Sequence, residues 1–273
     1  MDIPNFETIK ETIDFVVANK SAIAASKKMQ TKCTDSTMYQ PTIETLDTTK
    51  AADGSTDRNI INAKVAINTT NILDSHGDVH IDGIWNKTVK EQKNVYLLEE
   101  HVMSFRTIIS DKVVASVQNV SWKELGVKAE GMTQALVFDA ELKRDRNAYM
   151  FGEYEKGHVK NHSVGMRYSK LELAVNSIDY PKEKVIWDKH IDSIVNRKDA
   201  ENLGHFWAVY EAKMIEGSAV PIGSNVATPT LSTEIKNIEP SADTHVKEPL
   251  QDTQTNTTVP KDGKQYFINL LIK

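Results

Sequence analysis

Runs of alternating apolar and polar residues recur between residues 61 and 220, and they constrain this chain more than any other feature. Ile61, Ala63, Val65 and Ile67 alternate with Asn62, Lys64 and Ala66, the period-two pattern of a half-buried strand. Residues 94–101, NVYLLEEH, put Val95, Leu97, Glu99 and His101 on one face and Tyr96, Leu98 and Glu100 on the other. Ile108 and Ile109, residues 113–120 and residues 132–142 read as further strands. A long β-rich run, FWAVYEAKMIEGSAV, occupies residues 206–220 and is interrupted by Gly217.

Helical spacing appears between and before these runs. Phe6, Ile9, Ile13, Val16 or Val17, and Ile23 form one apolar face, predicting a helix of about 20 residues with a break near Asn19. Trp85 and Val89 fit a short helix, and residues 145–156 a longer one capped by Asp145 and stopped by Gly157. Ser121 with Glu124 matches a capping box around a single turn. Residues 181–202 read as a helix followed by a loop, with Val185, Ile191, Ile194 and Val195 on its face.

These patterns predict an α+β chain, mainly β with flanking helices. The divisions are an N-terminal helical arm over residues 1–30, a polar linker over 31–57 and the main domain over 58–228. A flexible polar linker over 229–264 and a hydrophobic segment over 265–273, containing YFINLLI, follow.

Composition excludes some functions. Thirty-three basic against 38 acidic side chains leave a net charge of -5, which gives no general electrostatic reason to expect nucleic acid as a direct partner. No run approaches the roughly 18 apolar residues of a membrane span, and the N-terminus lacks the basic-then-apolar order of a secretory signal. These features predict an intracellular protein. Cys33 is the sole cysteine, so neither an internal disulfide nor a thiolate-rich metal site is expected.

Candidate chemistry centres on residues 158–169, HVKNHSVGMRYS. In a strand, Val164, Met166 and Tyr168 are buried, while Ser163, Gly165, Arg167 and Ser169 face the other way. Gly165 leaves space beside the Ser163 hydroxyl. His162 points away from Ser163, so its base must come from another strand, and His101 is the candidate. Glu216 lies in an apolar run and needs a partner, because an unpaired buried carboxylate is costly. A histidine or Arg167 would supply one. His76, Asp78 and His80 alternate and would share one face of an extended chain, as a set of metal ligands must. The cluster DSHGD at residues 74–78 has instead the composition of a tight turn.

Four short motifs in order resemble the tailed-phage prohead proteases of the HK97 type, relatives in fold of herpesvirus assemblin. They are Asp74, Gly77 and Asp78 with Gly83; the apolar run LLEEH ending in His101; Ser163-Val164-Gly165-Met166; and MIEGSAVP ending in Pro221. The resemblance spans residues 60–229. It departs at Val102, where an acid is common, and in a longer connection between Val175 and Phe206. It implies a mostly antiparallel, closed or partly open barrel, and a serine endopeptidase with Ser163 as nucleophile, His101 as base and Glu216 as acid. Glu99 is the alternative acid. Neither cofactor nor metal is implied. The implied substrates are a scaffold or the delta region of the major capsid protein, and the chain itself, with self-association as an accompanying expectation. The implied place is the host cytoplasm, inside the assembling prohead. A catalytically inactive capsid-assembly protein retaining the same fold is the alternative.

Overall fold

A computed structural model describes residues 6–29, 59–92 and 94–236. Cys33, the polar linker over 31–57 and the YFINLLI segment lie outside the described residues.

The alternating runs build two sheets. In the first, β1 (Ile60–Thr69) pairs with β6 (Met132–Lys143) on one side and β9 (Thr230–Lys236) on the other, and β5 (Val113–Ser121) lies beyond β6. Every pairing in this sheet is antiparallel. The second sheet is organised on β8 (His205–Val220), with β7 (Asn161–Val175) antiparallel along one edge. Its other edge takes two short parallel strands. β2 (Asp78–His80) lies opposite Trp207 to Val209, and β3 (Leu97–Glu99) opposite Gly217 to Ala219, with β4 (Ile108–Ser110) outside β3.

The α+β class holds, but the sheets do not close into the expected barrel. Between β8 and β9 the chain runs irregularly past Pro221 and Pro229, which have no N–H to offer a ladder. Isolated bonds bridge the sheets there, His162 N–H to the Thr228 carbonyl at 3.0 Å and Ala66 N–H to the Pro229 carbonyl at 3.0 Å. Side chains make the main contact. A Cβ on Gly217 would stand 2.4 Å from the Phe138 ring and 3.0 Å from Ile67 Cδ1. The in-strand glycine thus lets the second sheet approach the first, and Leu136, Phe138, Val164, Met166 and Met214 fill one core between them.

Two other expectations change, and the expected break in the N-terminal helix is present. Residues 230–236, expected within a flexible linker, are the strand β9; Ile61 faces Ile235 across the β1 ladder. As expected, the N-terminal helix breaks at Asn19, into α1 (Ile9–Ala18) and α2 (Lys20–Met29). Thr8 and Glu11 cap α1 reciprocally. Residues 181–202 form α5 (Pro181–His190), a 3-10 turn and α6 (Arg197–Leu203), so the expected loop is helical. Val185 is exposed; Trp187, Ile191, Ile194 and Ala200 supply the buried face.

The paired helices dock through both apolar and polar contacts. Ile13 enters the main core. Lys20 pairs with Glu183 at 2.5 Å, Tyr180 donates to Asp14 at 2.6 Å, and Lys27 pairs with the fully buried Asp78. The remaining helices are α3 (Asn86–Glu91) and α4 (Ala148–Glu155). Among the described residues, no helix is long and apolar enough to cross a membrane.

Candidate active site

The β3 strand stops at Glu99, two residues short of His101. Glu100 and His101 have φ values of 51° and 61°, a left-handed conformation that is unfavourable for residues with a Cβ and persists only where surroundings enforce it. Three backbone amides are held: Glu100 N–H by the Ala219 carbonyl at 3.0 Å, His101 N–H by Ser218 Oγ at 3.1 Å, and Val102 N–H by the Glu99 carbonyl at 3.0 Å. His101 therefore does not continue the face of Val95, Leu97 and Glu99, as alternation alone suggests. The turn sends its ring back to β8, where Nδ1 lies 2.6 Å from Glu216 Oε1.

Both oxygens of Glu216 are occupied. Oε1 meets His101, and Oε2 accepts a hydrogen bond from Ser218 Oγ at 2.6 Å. The His101 and Glu216 side chains are 6% and 4% exposed, so bulk water contributes little to solvating the pair. With an ionised carboxylate accepting, Nδ1 carries the proton and the neutral ring presents a lone pair at Nε2. That nitrogen is buried and has no hydrogen-bond partner.

Strand register places Ser163 on the same face as Glu216. Ser163 lies directly opposite Ser218, and Gly165 opposite Glu216. Opposed residues of an antiparallel pair share a face, with Cβ atoms about 4.5–5.5 Å apart. Ser163, Ser218 and the Glu216 carboxylate holding His101 consequently share one face of β7 and β8. Gly165 has a specific steric reason to be glycine. A Cβ there would stand 2.0 Å from Glu216 Oε1. The carboxylate occupies the space that a side chain at residue 165 would take. No hydrogen bond joins Ser163 Oγ to His101 Nε2.

Neither rival partner for these groups takes their place. Glu99 stays on β3 opposite Ala219, while His101 turns to Glu216. Arg167 is exposed and lies opposite Lys213, and the partners of Glu216 are His101 and Ser218. His162 is fully buried. Its Nδ1 donates to the Thr228 carbonyl at 3.1 Å, so Nε2 accepts from the Tyr154 hydroxyl at 2.9 Å. Burial pushes the His162 pKa down to about 4, and the neutral ring anchors the start of β7.

The His76, Asp78 and His80 set does not converge. Asp78 and His80 lie on β2, whereas His76 lies in the preceding turn. His80 meets Asn68 at 2.9 Å and Tyr168 at 3.1 Å, and Asp78 takes Lys27 and the Tyr168 hydroxyl. The turn is built on Asp74, whose Oδ1 accepts from the amides of His76 at 2.8 Å and Asp78 at 3.0 Å. Burial raises the Asp74 pKa, but hydrogen bonding and charge from His76 outweigh it and hold the carboxyl below its ordinary value. Among the described residues, no group of three or more His, Cys, Asp or Glu side chains is placed to hold a metal ion.

Ser218, the hydroxyl that serves Glu216, is not singled out by the sequence patterns. The available signal was the i, i+2 spacing of the two residues, which puts both side chains on one face of a strand. A cleft of about 340 Å³ lies beside these elements, lined in part by Glu99, Glu100, Tyr149, Asn161, Ala219 and Pro221. Comparison with protein-family models, curated proteins and solved structures returns no match.

Proposed function

We propose that the chain is a serine endopeptidase of the prohead-maturation type, acting on a scaffold or the delta region of a major capsid protein, and on itself. The observation that carries this reading is the buried 2.6 Å contact of His101 Nδ1 with Glu216, which leaves Nε2 without a partner, while Ser163 lies on the same face of the β7–β8 pair as Glu216. In the reaction, Ser163 Oγ attacks a peptide carbonyl as His101 Nε2 removes its proton. The imidazolium is stabilised by Glu216 and returns the proton to the leaving amine. Water then releases the acyl group by the same base. The open two-sheet arrangement would correspond to an assemblin-like barrel that is only partly formed.

Co-expression with a major capsid protein and scaffold, compared by intact mass, tests the proposal. The parent chain should yield defined fragments, and Ser163→Ala none. The absent Ser163–His101 hydrogen bond favours one second reading, an inactive capsid-assembly protein with the same fold. Intact substrates in both samples would support that reading and refute the first.

A further inference from the structure

We propose that Ser218 is a positioning residue, holding the His101–Glu216 pair in register by serving both members at once. The proposal rests on the endopeptidase reading for its functional consequence, but not for its geometry. Ser218 is fully buried on β8. Its Oγ accepts from His101 N–H at 3.1 Å and donates to Glu216 Oε2 at 2.6 Å. The Glu216 carboxylate returns to the His101 ring through Oε1 at 2.6 Å. The circuit therefore runs from the His101 backbone through Ser218 and Glu216 to the His101 side chain.

Such a circuit answers a specific difficulty. His101 lies in a left-handed turn at φ 61°, where a residue with a Cβ requires external support. Its ring must also be fixed within tenths of an ångström to act as a base. A carboxylate contact alone restrains the ring while leaving the backbone free to relax. The Ser218 hydroxyl couples the two, since the proton it donates fixes the carboxylate and its lone pair fixes the His101 amide. Ser163 lies opposite the same residue, so Ser218 also sits at the meeting of all three proposed catalytic groups.

The test uses the full-length chain, its Ser218→Ala and Ser218→Cys variants, and two readouts. The first is the proton NMR signal of His101 Hδ1 with the titration of its ring, neither of which requires activity. The second is the pH profile of covalent labelling by a fluorophosphonate probe. Ser218→Ala should broaden or shift the Hδ1 signal, displace the His101 titration and slow labelling about tenfold, the equivalent of one lost hydrogen bond. Ser218→Cys, which retains a weaker donor and acceptor, should fall between parent and alanine variant. An unchanged Hδ1 signal and titration in Ser218→Ala would overturn the proposal. If that variant does not fold, an unchanged signal and titration in Ser218→Cys overturns it, and a displaced one sustains it. A parent that resists labelling while Ser218→Ala still loses its Hδ1 signal would sustain the positioning role and overturn the endopeptidase reading. A parent that labels at the same rate as Ser218→Ala across pH would do the reverse.

Discussion

Replacing Gly165 with alanine isolates the packing of the Glu216 carboxylate. The new Cβ would lie 2.0 Å from Glu216 Oε1, 2.9 Å from Cδ and 3.2 Å from Cγ. This side chain is not free to swing aside, since His101 and Ser218 each hold one of its oxygens at 2.6 Å. The methyl must displace the carboxylate and break one or both bonds. A hydrogen bond to a charged group contributes about 1.5–3 kcal/mol, and relaxation recovers part of a loss in a packed site. The expected destabilisation is about 3 kcal/mol. Urea unfolding of Gly165→Ala, Glu216→Gln and the double variant provides the assay. Because alanine already evicts the group that glutamine neutralises, the two losses should fall short of additivity by more than about 1 kcal/mol. Additive losses, or a single-variant loss below about 1 kcal/mol with the His101 Hδ1 signal intact, would refute the reasoning.

Three further outcomes are expected. His162 is neutral when folded, with a pKa near 4 caused by burial, against about 6.5 unfolded. The unfolded chain binds the extra proton first, so stability should decline as pH falls from about 6.5 to 4, by roughly 3 kcal/mol in all. A His162→Gln variant should lose that share of the slope in urea midpoints measured across pH, and an unchanged slope would contradict the assignment. Lys27→Met should cost about 3 kcal/mol, because it leaves the buried Asp78 without its cation; adding Asp78→Asn should restore part of the loss, and purely additive unfolding midpoints would count against the pair. Gly217→Ala should destabilise by about 1–3 kcal/mol through the Phe138 and Ile67 contacts, and a wild-type midpoint would show that the sheets have room to part.

Strands with one buried face were legible because burial follows period two. Ile61, Ala63 and Val65 are buried as the alternation requires, and so are Val164, Met166 and Tyr168. Pairing partners were not legible. The short β2 and β3 strands lie parallel to β8, a choice made by contacts distant in sequence that leave no local mark. The strand β9 was read as linker because TLSTEIK is polar and pairs along an edge, where few side chains must be apolar. Val185 misled for the converse reason, since helical spacing alone does not say which of two overlapping faces packs. At the site, the need of a buried acid for a partner left a histidine and Arg167 both open, and the pairing of Glu216 with His101 in particular followed from the family resemblance. The left-handed turn that brings it about was not legible, because glutamate gives no sign of φ above zero and a lone histidine, though enriched there, does not mark a turn by itself.

Peptide mapping after fluorophosphonate treatment of the full-length chain tests the proposed nucleophile and base together. A single adduct on Ser163, abolished by His101→Ala under conditions where that variant remains folded, is the expected result. No adduct on Ser163, or one that forms equally fast without the imidazole, would contradict a catalytic role for the pair.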